Sequence, residues 1–401
     1  MFSNKKSGKI LTLALSGMLA LGLSGCHSSH AQFKPAGEIK DIGGAPYTKA
    51  ILLNNGKILI TTRPRVLYDP KTQQSKVIPI PPDKFGWAGD SFTQTLLPDG
   101  RVFFQRQYLC SPQSKDCQKT IGMVYTPQDE TLSRILLPWN PRIGSTATLL
   151  KDKKNILIFG GGNMRFKPKT FMLYDYAANT IQKFPLSEPS RIIEFHSALL
   201  LKNGQVLIAG GTYGVPRKAN ADIQLYDPET NTVKTIGKLN VFRQEPSLIQ
   251  VDDTHVLISG GVLLTMNRPS SLSPDGSITE GGSTREIELV DLQSGRSKIV
   301  ATLTQSTMHG DYQPVRLPNG DILYTGYMPH TEILNTHTMQ LKDGPPQLLK
   351  RGDHAAVEMP NGNVYLFGGY PPRVSWGQFF AGKMPGTFPS VEYFDYKDYN
   401  P

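Results

Sequence analysis

The 401-residue sequence predicts an all-β protein built from one structural unit repeated seven times. Three observations carry this expectation. A pattern of apolar strand, Gly- or Asn-containing turn and second apolar strand recurs at 47–62, 91–106, 144–163, 195–214, 245–263, 311–328 and 353–372. A third strand follows each hairpin, usually closing on an aromatic or aliphatic residue and then Asp or Asn, as in Tyr68-Asp69, Tyr174-Asp175, Tyr226-Asp227, Val290-Asp291, Leu334-Asn335 and Phe394-Asp395. The composition suits turn-rich β structure: 38 Gly and 31 Pro are scattered along the chain, with no collagen period and no heptad run.

Taken in chain order, the elements repeat closely. Five of the hairpin turns contain Asn-Gly or Asp-Gly, at Gly56, Gly100, Gly204, Gly320 and Gly362, where glycine supplies the positive φ that tight turns demand. A weaker fourth strand follows the third, for example from Ser75 and from Thr232. The third-strand markers run from Tyr68 to Phe394, 326 residues over six intervals, or about 54 per repeat. A four-stranded repeat of that length resembles the kelch family, and the likeness covers nearly the whole chain after the leader. The resemblance implies a seven-bladed kelch-like β-propeller with four-stranded blades. The seventh copy stops after its third strand, while an orphan segment, 37–42, precedes the first hairpin. That N-terminal segment is expected to be the fourth strand closing the last blade, which removes an open edge.

The leader carries Lys5, Lys6 and Lys9 and then a short apolar run from Ile10, the pattern of a secretory signal rather than of a membrane-spanning helix, which needs about 20 residues. It ends in Leu23-Ser24-Gly25-Cys26, which resembles the bacterial lipoprotein box. The resemblance implies cleavage before Cys26 and lipidation of that cysteine, and His27 in the next position resembles the outer-membrane sorting pattern. The expected organisation is a signal peptide over 1–25, a lipidated tether over 26–36 and the propeller over 37–401. The protein is expected as a monomer in a bacterial envelope, held to the membrane by its lipid. Cys110 and Cys117, the two remaining cysteines, read as a disulfide in an exported protein. Neither has a Cys or His at metal-ligand spacing, so no metal site and no cofactor are expected. Loss of the three leader lysines takes the net charge from +10 to +7. The excess is spread along the chain without a like-charged block, which argues against nucleic acid and for anionic small ligands or surfaces.

In a kelch-type blade the segments entering the first strand and those joining strands two and three share one rim. Candidate ligand-binding residues there are Arg165, Arg191, Tyr213, Arg243, His309, Asp311, Arg351 and His354. The arginine fork suits carboxylates and phosphates, so the arginines are candidates for holding a sugar acid or another polar glycan. Arg243→Ala is accordingly expected to abolish binding without unfolding the chain. Glu194, His196 and Glu245 are the acid–base candidates if the mouth catalyses a sugar mutarotation, as in the exported sialic-acid mutarotases. A copper-radical oxidase like galactose oxidase needs a Tyr-His pair, and no such dipeptide occurs. No G-x-S-x-G or H-E-x-x-H motif points to a hydrolase. The expectation is a binding propeller for a polar ligand, with a mutarotase-like enzyme or an envelope protein-interaction platform as alternatives.

Overall fold

The computed structural model describes residues 31–40, 48–61, 65–79, 92–106, 120–139, 142–162, 169–186, 193–213, 218–264, 280–304, 313–326, 330–371 and 388–399. These form seven four-stranded antiparallel sheets, each a meander in chain order except the last. Blade 1 is Ala50–Leu52, Ile58–Ile60, Arg65–Asp69 and Gln74–Ile78. Blade 2 begins at Phe92–Leu96, blade 3 at Ile143–Leu149, blade 4 at Ser197–Leu200, blade 5 at Ser247–Gln250, blade 6 at Gln313–Arg316 and blade 7 at Gly352–Glu358.

Both faces of every blade are apolar, so each can be buried only between two neighbours. Seven buried clusters result, one for each junction. Leu59, Leu67 and Phe104 join blades 1 and 2, Phe103, Ile158 and Tyr174 join 2 and 3, and Phe159, Ile208 and Tyr226 join 3 and 4. Ala209, Ile258 and Val290 join blades 4 and 5, Leu257, Ile322 and Tyr324 join 5 and 6, and Leu323, Leu366 and Phe394 join 6 and 7. The seventh cluster packs Ile60 and Tyr68 of blade 1 against Tyr365 and Phe367 of blade 7 and shuts the ring. First strands of neighbouring blades contact one another, so they form its inner wall. The fold is a seven-bladed β-propeller.

The closing strand is N-terminal, as expected, but it is Phe33–Glu38, four residues earlier than the 37–42 segment predicted to close the blade. It pairs antiparallel with Ser390–Phe394, Phe33 opposite Phe394 and Glu38 opposite Ser390. Phe33 is buried in the blade 6–7 cluster, whereas Ala36 and Ile39 are buried against blade 1. Pro35 is tolerated because this is the outermost strand, where a missing N–H leaves no ladder bond unmade.

The third-strand Asp and Asn markers are structural. Asp175 Oδ1 accepts from the N–H groups of Ala177 and Ala178 at 3.1 and 3.0 Å, and Asp291 and Asn335 close the same turn in blades 5 and 6. Such Asx turns keep this end of each blade tight. Connections between strands one and two and between strands three and four are four to six residues long. Antiparallel pairing puts the other connections at the opposite end of the ring. There the second and third strands are separated by 13 residues in blade 2, 26 in blade 5 and 19 in blade 7.

The Gly-Gly pairs mark where one blade's second strand passes the head of the next blade. Gly211 N–H donates to Arg243 O at 2.8 Å. Gly210 and Gly211 have φ of 76° and 89°, and a Cβ would lie 2.6 Å from Arg243 O and 2.4 Å from Glu194 O, respectively. Only glycine fits either position.

Candidate functional site

The strand ends from which the long connections leave mark one mouth, and the described residues at its base include the segments entering the first strands of blades 3, 4, 5 and 7. Arg142, Arg243 and Arg351 occupy the same place in blades 3, 5 and 7. Each donates through Nη1 to the carbonyl of the first glycine of its own Gly-Gly pair, Gly160, Gly260 and Gly368. Arg243 also donates to Thr284 Oγ1 and Glu286 O, and its Nη2 lies 2.7 Å from Glu288 Oε1. Arg351 donates to Glu392 Oε1 at 2.8 Å and to Ser390 Oγ at 2.9 Å, with its guanidinium 5.4 Å from the centre of the Phe388 ring. Both ion pairs are fully buried. Burial lowers the pKa of each guanidinium, and the facing carboxylate opposes that shift.

The sequence expectation for Arg243 and Arg351 is therefore corrected. Their donor groups face their own blade and hold the entering segment to its second and third strands, so they are not anion holders for a ligand. Arg243→Ala would leave Glu288 buried without its cation, so destabilisation is expected of that change in place of a spared fold. The partners Glu288 and Glu392 were missed. Their signal was a Glu three residues before the third-strand Asp.

Blades 3, 4 and 6 vary this device. Blade 3 has Met172 in the carboxylate position, and Arg142 donates to Thr170 O at 2.9 Å while burial pushes it down to about 10. Blade 4 has Ile193 and Gln224, both buried and both uncharged. Blade 6 retains the carboxylate as Glu332, whose oxygens each accept from Thr304 N–H at 3.2 Å and whose pKa is raised by burial. His309, which the repeat count puts in the arginine position of that blade, lies outside the described residues, as do Asp311, Arg165, Arg191 and the Cys26, Cys110 and Cys117 sulfurs.

His196 and His354 head the first strands of blades 4 and 7. Their Nε2 atoms share hydrogen bonds with Thr146 Oγ1 of blade 3 at 2.9 Å and with Thr325 Oγ1 of blade 6 at 2.8 Å. Burial drives both imidazoles down to about 3. They are neutral inter-blade ties at physiological pH, which corrects the acid–base expectation for His196 and the ligand expectation for His354. Glu194 is buried and exchanges two 2.8 Å backbone hydrogen bonds with Thr212. Tyr213 is half-buried against the blade 3–4 cluster, in a short extra hairpin of Thr212–Tyr213 and Lys218–Ala219. Glu245 is exposed at the mouth. Of the three acid–base candidates it alone reaches solvent, so the structure does not assemble them into one catalytic set.

No family model and no curated protein matches the sequence. Among solved structures, a novel fungal alcohol oxidase with catalytic diversity among the AA5 family, in complex with copper, superposes with a TM-score of 0.63 at 14% identity over 91% of this chain and 76% of that one. YjhT superposes with a TM-score of 0.49 at 13% identity over 75% of this chain and 93% of that one, below the level at which a likeness carries weight. The described residues do not fit copper: both histidines spend Nε2 on threonines, and no cluster of three or more His, Cys, Asp or Glu suited to a metal occurs among them. At 14% identity the likeness to the oxidase is one of fold, and the chain is similar to it as a seven-bladed β-propeller.

Proposed function

We propose that the chain is an envelope lipoprotein, anchored through Cys26, whose kelch-like propeller binds a polar saccharide at the mouth. One observation carries this reading: the long connections between second and third strands leave from one end of a closed ring, and the other end carries only short connections, several closed by Asx turns. Binding groups concentrate in loops positioned by such a scaffold. The proposal is for binding rather than mutarotation, because the histidine offered as a proton carrier is buried and neutral.

A thermal-shift screen of a chain starting at His27 tests it. A ligand of the native state at 100 times its dissociation constant stabilises by about 2.7 kcal/mol. Neutral sugars, amino sugars, sugar acids and copper form the panel, and at least one saccharide is expected to raise Tm. Exposed Phe242 and Leu348 at the same end favour a second reading, a protein-interaction platform in the envelope. A panel with no saccharide shift, together with capture of an envelope protein lost in Phe242→Ser, selects that second reading.

A further inference from the structure

Eight non-glycine residues among those described have positive φ. Six of them, Gln73, Glu130, Lys153, Asn179, Asn231 and Met339, sit in short hairpin turns at the end opposite the mouth, where the left-handed conformation closes the turn. The other two, Phe195 (φ 56°) and Glu245 (φ 47°), sit at the mouth. They hold the same repeat position, two residues before Ser197 and Ser247, which pair with Ala209 and Ser259 in blades 4 and 5. In blade 3 that position is Gly144, φ 67°.

Backbone bonds link the three positions into a stair across the blades. Phe195 N–H donates to Gly144 O at 2.8 Å, and Glu245 N–H donates to Phe195 O at 2.7 Å. Glycine meets this requirement without strain, as Gly144 does. Phenylalanine and glutamate meet it at a conformational cost, the kind of backbone strain that gathers at binding sites. A side chain at Gly144 is also barred, since a Cβ there would lie 2.6 Å from the Phe195 backbone nitrogen. The result is a half-buried aromatic ring seated beside a bare backbone step, with an exposed carboxylate on the next step. The arginines of blades 3 and 5, Arg142 and Arg243, are buried in their own blades.

We propose that Phe195 and Glu245 form a saccharide subsite that selects neutral and amino sugars over sugar acids. The inference rests on the saccharide reading of the mouth and specifies its ligand. The ring offers an apolar face to the C–H face of a pyranose, and the carboxylate accepts hydrogen bonds from hydroxyl or ammonium groups, most strongly from the charged donor. A sugar carboxylate meets Glu245 as a like charge.

The test is calorimetric titration of the detergent-solubilised full chain with three probes: a glucosamine trimer, an N-acetylglucosamine trimer and a galacturonic acid trimer. Wild type is expected to bind them in that order of affinity. Phe195→Gly, which relieves the backbone while removing the ring, is expected to weaken the first two by on the order of tenfold, with Tm held within about 3 °C of wild type. Glu245→Gln is expected to erase the preference for amine over acid while changing the neutral trimer little. Wild-type binding with both variants keeping affinity and ranking overturns the subsite and leaves the saccharide reading standing, and so does a galacturonic acid trimer that binds tightest. Failure of wild type to bind any of the three overturns the saccharide reading of the mouth, and the subsite with it.

Discussion

Arg243 Nη2 lies 2.7 Å from Glu288 Oε1 with both side chains wholly buried, and the same pair recurs two blades on as Arg351 and Glu392. Each carboxylate also accepts from two successive backbone N–H groups of the entering segment, Asn240 and Val241 for Glu288, and Leu348 and Leu349 for Glu392. The pair thus ties the segment leading into the first strand to the second and third strands of the same blade. Its satisfied geometry is what makes two buried charges tolerable.

Removing one partner strands the other. Arg243→Met or Glu288→Met alone is expected to cost about 3–5 kcal/mol, and the double substitution to recover part of that loss. Urea unfolding of the four proteins in a double-mutant cycle measures it. Single-variant losses below about 1 kcal/mol would remove the structural role assigned to the pair.

Blade 6 has the opposite electrostatic character. Burial raises the pKa of Glu332, so the folded state binds its proton more readily than the unfolded state does. Stability from this group is present at low pH and lost as pH rises through the interval between the unfolded and folded values. Glu332→Gln is expected to flatten that part of the Tm-versus-pH curve and to raise Tm at neutral pH. An unchanged curve contradicts the assignment.

The histidines at the blade heads work with the other sign. Their folded pKa of about 3 lies below the ordinary value, so the unfolded state takes up their protons first. Stability is full above the unfolded value near 6.5 and declines as pH falls below it towards about 3. In solution NMR the ring signals of His196 and His354 are expected to stay in the neutral form from pH 8 to pH 5. Titration of either between those limits contradicts the burial and the inter-blade bonds to Thr146 and Thr325.

Ring closure rests on the N-terminal strand. Phe33 is buried between blades 6 and 7, with its ring 5.7 Å from that of Phe394. Phe33→Ala is expected to cost about 3–5 kcal/mol, and a chain beginning at Ile39 to aggregate, since the Ser390–Phe394 edge is then unpaired. Calorimetry and light scattering read the two effects. A chain from Ile39 that stays monomeric with an unchanged Tm contradicts closure by this strand.

Much of this architecture was legible in the sequence because its markers are backbone devices. The third-strand Asp and Asn residues close Asx turns, and the hairpin glycines take positive φ, so both signals recur at the repeat period. The closing strand lies four residues earlier than the expected segment and includes Pro35, which an outermost strand accepts. The mouth was read less well. Arginine at the head of a strand looks like an exposed ligand group, and nothing local announces that a Gly-Gly approach and a third-strand Glu swallow it. Phe195 and Glu245 carry no periodic signal, because what distinguishes them is a backbone angle.

Saccharide binding at the mouth is tested by hydrogen–deuterium exchange on the His27-start chain with and without the saccharide that gives the largest thermal shift. New protection is expected only at the mouth, above all in the segments around Phe195 and Glu245, with no change in the turns at Asp175, Asp291 and Asn335. Protection of those turns instead, or no saccharide that shifts Tm at all, contradicts it.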